Sequence, residues 1–155
     1  MNKELEQIIE DGISKFGIAG NTCWDSENQR YHLVKGSANL FIRYLKLPIS
    51  NTDETKNIIE FYSPLFRIHN DMPIEFYKEI LALNDNISDG VSLSIGKGYL
   101  IMKVCIIEDY LDSDLAFENM SNMLFWSDKL DDELLEKYRE SIEGFNFSDY
   151  NQNLN

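Results

Sequence analysis

Apolar residues return at steps of three and four over the first sixteen positions: Leu5, Ile8, Ile9, Gly12, Ile13 and Phe16 form one stripe, with Glu4, Glu6, Glu10 and Lys15 elsewhere. That spacing predicts a helix ending near Gly17. In "NTCWDSENQRYHLV" a polar cluster, Asp25 to Gln29, separates two short segments rich in β-formers, and "KGS" at Lys35–Ser37 is a second turn. "ANLFIRYLKL" and "KNIIEFYSPLFRI" combine aromatic and branched residues with irregular polar interruptions, which predicts strands joined by the polar loop "PISNTDET".

Asp71 stands where it can cap a second helix with Pro73 in its first turn, and Ile74, Tyr77, Ile80, Leu81 and Asn84 follow at helical steps as far as about Leu83. "VSLSI" alternates apolar and polar positions and "YLIMKVCII" is more thoroughly apolar, so both read as strands. Asp112 or Ser113 can start a last helix through Ala116, Phe117, Met120, Met123 and Leu124, continuing or restarting to Tyr138. The order predicted is α-β-β-β-α-β-β-α, an α+β fold with helices packed on an antiparallel sheet. Residues 1–145 read as a single domain and 146–155 as a frayed polar tail.

The stretch "SIGKGYLIM" between the last two strands invites a nucleotide-binding reading, which its surroundings exclude. A dinucleotide fingerprint needs a third glycine and a helix whose N-terminus faces the pyrophosphate. Gly98 is followed instead by Tyr-Leu-Ile-Met, a strand, and Lys97 lies between the glycines rather than before Ser or Thr as in a P-loop. Gly96-Lys97-Gly98 is therefore expected to be the bend of a β-hairpin.

A chain of 155 residues can bury roughly 70% of the surface its unfolded form exposes, enough for one full core. With 43% apolar, 26% charged and 12% aromatic residues it has the composition of a soluble globular protein. The N-terminus mixes charge into its apolar residues from the third position, unlike a signal peptide, and no apolar run reaches membrane-spanning length. A cytoplasmic location follows as the expectation, with Cys23 and Cys105 reduced and acting as small core residues. Sequons at Asn86, Asn119 and Asn146 carry no weight there.

The net charge is −13, and from Glu108 onward there are thirteen acidic against three basic residues. Such a surface repels nucleic acid and anionic membranes, so neither is expected as a partner. It suits a basic or apolar protein partner, or simply a solvated helix face that keeps the chain soluble.

Other candidate chemistry is thin. "DNISDG", Asp85 to Gly90, lacks the ligand pattern and closing Glu of a calcium loop. His32, His69, Cys23 and Cys105 show no paired zinc spacing, and no nucleophile elbow marks a Ser or Cys. Asp109, Asp112 and Asp114 could pair as acid and base, but carboxylates before a helix ordinarily stabilise its positive end. No enzyme activity, metal or cofactor is expected.

Several segments carry a resemblance: "TCWDSENQRYHLV" opening the sheet, "PIEFYKEILALNDNI" as the middle helix, "GVSLSIGKGYLIMKVCI" as the hairpin, and "DLAFENMSNMLFWSDKL" closing the domain. With the element order they resemble the type III secretion chaperone-like fold, in particular the YbjN family of bacterial sensory-transduction regulators. The resemblance implies an acidic α+β domain that often forms homodimers and transfers no catalytic residues. The acidic segment after Lys129 departs from secretion chaperones. A homodimer is expected also because Phe61, Tyr62, Phe66, Phe76 and Tyr77 exceed what one small core requires.

The expected function is a non-enzymatic protein-binding module, chaperone-like or regulatory, in a bacterial cytosol. An immunity protein that neutralises a basic toxin and a small-ligand sensor are the alternatives. Candidate partner-binding residues are Phe41, Ile42, Tyr44, Phe61 and Tyr62 on the predicted strands, and Asp131, Asp132, Glu133, Glu136, Glu140 and Glu143 in the acidic segment.

Overall fold

The stripe on the first helix, α1 (Lys3–Ser14), buries Leu5, Ile9, Gly12 and Ile13. Gly12 is there for closeness: a Cβ at this position would stand 3.0 Å from Met120 Cε and 3.1 Å from Ala116 Cβ. Both belong to the 26-residue helix α3 (Ser113–Tyr138), against which α1 packs. Asp112 caps α3 by accepting the Leu115 N–H at 2.8 Å, so this carboxylate closes a helix end. The computed structural model describes residues 3–49, 54–69, 71–87, 90–139, 141–144 and 150, with the backbone alone at 143 and 144.

The architecture is a single α+β fold. Strands β1 (Trp24–Asp25), β2 (Arg30–Lys35), β3 (Ala38–Pro48), β4 (Thr55–Ile68), β5 (Ser92–Gly96) and β6 (Tyr99–Ile107) form an antiparallel sheet in the order β1-β2-β3-β4-β6-β5. The expectation of three strands before the middle helix omits the two-residue β1. It also omits β7 (Ile142–Gly144), which pairs with Phe66–Ile68 of β4, beyond the stretch paired with β3. A three-residue strand after a long acidic helix has no periodicity to announce it.

Pro64 would normally argue against a central strand, because it cannot donate to the ladder. Here the register slips between Pro64 and Phe66, and this bulge accommodates it. The bend at Lys97-Gly98 has φ of 53° and 79°, the paired positive values of a tight hairpin turn, in agreement with the sequence.

The helices cover one face of the sheet. Leu40, Ile42, Ile59, Phe61, Leu100 and Met102 point into this layer and are fully buried. The middle helix, α2 (Ile74–Asn86), presents Phe76 and Ile80 to the core. The predicted stripe was rotated: Ile74 and Leu81 are 62% and 69% exposed. Pro73 occupies the N-cap position without a side-chain hydrogen bond, so Asp71 does not cap the helix as expected. Among the described residues no helix is long and apolar enough to cross a membrane.

Candidate functional site on the sheet face opposite α1, α2 and α3

Because side chains alternate along a strand, each strand that feeds the core also presents every second residue to the opposite face. On β2 these are Arg30 and His32, on β3 Phe41 and Arg43, on β4 Glu60 and Tyr62, and on β6 Lys103 and Cys105. Register assembles them into rows: His32 opposite Phe41 opposite Tyr62 opposite Lys103, and Arg43 opposite Glu60 opposite Cys105.

Phe41 is the hub. The His32 ring stacks on it at 4.5 Å, Tyr62 at 5.2 Å and Tyr150 at 6.0 Å, and the Arg30 guanidinium carbon lies 4.1 Å from its centroid. Tyr99 meets Tyr150 edge-on at 5.2 Å. Arg30, 2% exposed, donates from Nη1 to the Tyr62 hydroxyl at 2.9 Å and faces Asp25 at 3.6 Å. Arg43 donates to Glu60 at 2.6 Å and lies over the Tyr62 ring at 4.8 Å. Burying a guanidinium is costly unless it is paired, and both have a carboxylate and an aromatic face beside them.

The electrostatics follow from this packing. Burial lowers the His32 pKa, with the hydrogen bond to Asn39 at 2.9 Å working the other way. Burial alone would raise Asp25, but hydrogen bonds from Asn28 and Glu27 and the Arg30 charge outweigh it and hold the carboxyl low. Burial raises the Tyr150 phenol, so it stays protonated. Neither cysteine is the core residue expected, Cys23 being half-buried and Cys105 exposed; partial desolvation still raises both thiols, which disfavours the thiolate that nucleophilic chemistry needs.

A hollow of about 300 Å³ lined by Cys23, Trp24, Asp25, Glu27, Asn28 and His32 adjoins the cluster. Of its two carboxylates Asp25 is committed to the β1–β2 turn, and its imidazole, His32, is bonded to Asn39. Among the described residues no group of three or more His, Cys, Asp or Glu side chains comes together to hold a metal. Residues 88 and 89 of the loop compared with a calcium site lie outside them.

The chain matches no protein-family model and no curated protein.

The structure corrects the proposed strand contacts. Phe41, Ile42 and Phe61 are 0% exposed and Tyr62 is 3% exposed, so none offers an open apolar surface. Ile42 and Phe61 lie under the helices, while Phe41 and Tyr62 lie on the opposite face beneath Tyr150. Tyr44 is half-buried against the helical layer. Of the aromatic residues that motivated a dimer, Phe61, Tyr62, Phe66 and Phe76 are buried within one protomer, and Tyr77 packs partly buried beside them. The argument from surplus aromatics therefore falls.

The acidic residues divide. Asp132, Glu133 and Glu136 are exposed on α3, whereas Asp131 is half-buried; Glu140 and the side chain of Glu143 lie outside the described residues. Tyr150, assigned by sequence to a frayed tail, is 4% exposed. The rest of 146–155 lies outside the described residues. Sequence reasoning also missed Arg30, Arg43 and Glu60. Their alternation with apolar residues in "RYHL", "FIRY" and "EFY" was visible, but its meaning depended on register.

Proposed function

We propose that this protein is a non-enzymatic protein-binding module, chaperone-like or regulatory, acting in a bacterial cytosol, and that it binds through the sheet face opposite the helices. One observation carries the reading: α1, α2 and α3 pack on the other face, and on this one the aromatic and guanidinium side chains hold Tyr150, six residues beyond β7. A surface that takes up an aromatic residue from a nearby chain segment has the chemistry to take up one from another protein. The resemblance of the sequence segments to YbjN-type regulators and secretion chaperones motivates this reading. The exposed acids Asp132, Glu133 and Glu136 on α3 support a basic partner, as an immunity protein would have.

Position-specific photocrosslinking tests the reading. A crosslinker replacing Cys105, exposed on the face opposite the helices, should capture a defined partner in cells, while one replacing Leu81, exposed on α2, should not. Capture from Leu81 alone would move the binding surface to the helical side. Capture from α3 positions alone, abolished by moderate salt, would favour the basic-toxin partner.

A further inference from the structure

We propose that the junction of α3 with the β2–β3 turn binds a hard divalent cation, calcium or magnesium, through the Asp128 and Asp131 carboxylates and the Ser37 hydroxyl. The site is independent of which face receives a protein partner. Asp128 and Asp131 are three positions apart on α3, the spacing that puts two side chains on one face of a helix. The turn meets them there. Ser37 Oγ donates to Asp128 Oδ1 at 3.3 Å and stands near enough to Asp131 to influence its ionisation. Gly36 permits the approach, because a Cβ on it would lie 3.0 Å from Asp128 Oδ1.

What this junction lacks is positive charge. Among the described residues no Lys or Arg forms an ion pair with Asp128, Asp131 or Asp132. Lys35 is exposed at the end of β2, and Lys129 turns instead to Glu133 at 3.9 Å and to the Trp126 ring at 5.0 Å. Asp131 Oδ1 is nevertheless buried without a hydrogen-bond partner. Ser127 gives an independent sign: it is 1% exposed, its Oγ is also buried and unpartnered, and it stands one turn before Asp131 on the same face of α3. Buried oxygens without partners call for a ligand, and a water molecule would satisfy them without offsetting the neighbouring carboxylates. A cation does both. Carboxylates and hydroxyls form an all-oxygen set, which suits calcium or magnesium rather than zinc, and such ions complete their shells with water instead of a third acid. With so few charged ligands the affinity should be about millimolar. The bound ion pins to α3 the β2–β3 hairpin that carries Arg30, His32 and Phe41.

The test compares thermal midpoints of the full chain at about pH 7.5 in EDTA, in calcium or magnesium chloride at several times the expected dissociation constant, and in sodium chloride of equal ionic strength. At least one divalent salt should raise the parent's midpoint by about 2–4 °C over the sodium control, and the salt that does so identifies the ion. Asp131→Asn should lose most of that shift and Ser37→Ala about half of it. Glu118→Gln, which removes an exposed charge elsewhere on α3, should keep it in full. No shift beyond sodium, or an equal shift in Asp131→Asn, leaves only general screening of a chain of net charge −13 and overturns the inference. If Asp131→Asn does not fold, the parent at about pH 5 decides the matter. Protons then compete for a carboxyl whose pKa is about 6, and apparent affinity should fall about tenfold. A divalent shift as large at that pH as at neutral pH overturns the inference equally.

Discussion

The two faces of the sheet are made by the same strands and are closed in different ways. Under the helices, Ile42, Ile59, Phe61 and Met102 meet Leu5, Ile9 and Met120, and three helices share the cover. On the opposite face Phe41, Tyr62 and Tyr99 are buried beneath Tyr150 and alongside Arg30. The first face is held by the hydrophobic effect of a whole layer. The second is held by ring stacking and paired charges, and its cover includes a side chain from beyond the last strand. Loss of that cover would expose aromatic and cationic groups together, which is the composition of a recognition surface rather than of a core.

The largest expected effect breaks the first face. Phe61→Ala removes a fully buried ring and should cost about 3–5 kcal/mol in urea denaturation, enough to unfold a marginal domain. Tyr150→Ala should cost only about 1–2 kcal/mol, because part of the lost burial is returned as freedom of the chain that carried it. Equal losses at the two positions would make the second face an ordinary core, and the binding-face reading would fall with the comparison.

A smaller effect concerns the border between the faces. The outward-pointing N–H and C=O of Leu93 on edge strand β5 are both taken by one side chain: Asn84 of α2 accepts from the N–H at 2.6 Å and donates to the C=O at 3.0 Å. This carboxamide imitates a neighbouring strand and blunts an edge that bears no charged residue between Ser92 and Gly96. Asn84→Ala should lose about 1–2 kcal/mol and promote self-association, read by light scattering at increasing concentration. If the variant stays monomeric where the parent does, the edge is protected by something other than Asn84. If the parent already pairs there, the edge competes with the face opposite the helices as the contact surface.

What could be read from the sequence was what period and punctuation express. The α1 stripe, the Asp112 cap, the alternating "VSLSI" and the Gly96-Lys97-Gly98 bend all appear in the structure, because each is decided within a few residues. The α2 face was misread because Ile74 and Leu81 are apolar yet exposed, and Phe76, the residue that meets Phe66 and Tyr138, was left out of the stripe. The candidate site was largely illegible for a different reason. Arg30, Phe41, Tyr62, Tyr99 and Tyr150 meet only after pairings that bring together positions 30, 62 and 150, and no local pattern encodes such distances.

The smallest effect separates the two faces by their electrostatics. On the face opposite the helices Arg30 and Arg43 stand beside carboxylates, whereas in the helical layer Asp131 is half-buried with Asp128 and Asp132 as neighbours. Its pKa is pushed up to about 6, first by desolvation, its Oδ1 being buried without a hydrogen-bond partner, and then by those two like charges; nearby Ser37 on the β2–β3 turn works the other way, although its hydroxyl donates to Asp128 at 3.3 Å. A carboxyl with a raised folded-state pKa binds its proton more tightly folded than unfolded, so its contribution to stability falls as pH rises between about 4 and 6. Asp131→Asn removes the ionisation and keeps the shape. Relative to the parent it should gain about 1 kcal/mol at pH 7, after discounting the full shift for solvent screening, and only about a fifth of that at pH 4, where the folded-state carboxyl is protonated. Paired urea melts at the two pH values measure that difference. A gain of the same size at both would assign the effect to packing, and a loss at pH 7 would show that the ionised carboxylate has a favourable partner on α3 or the β2–β3 turn.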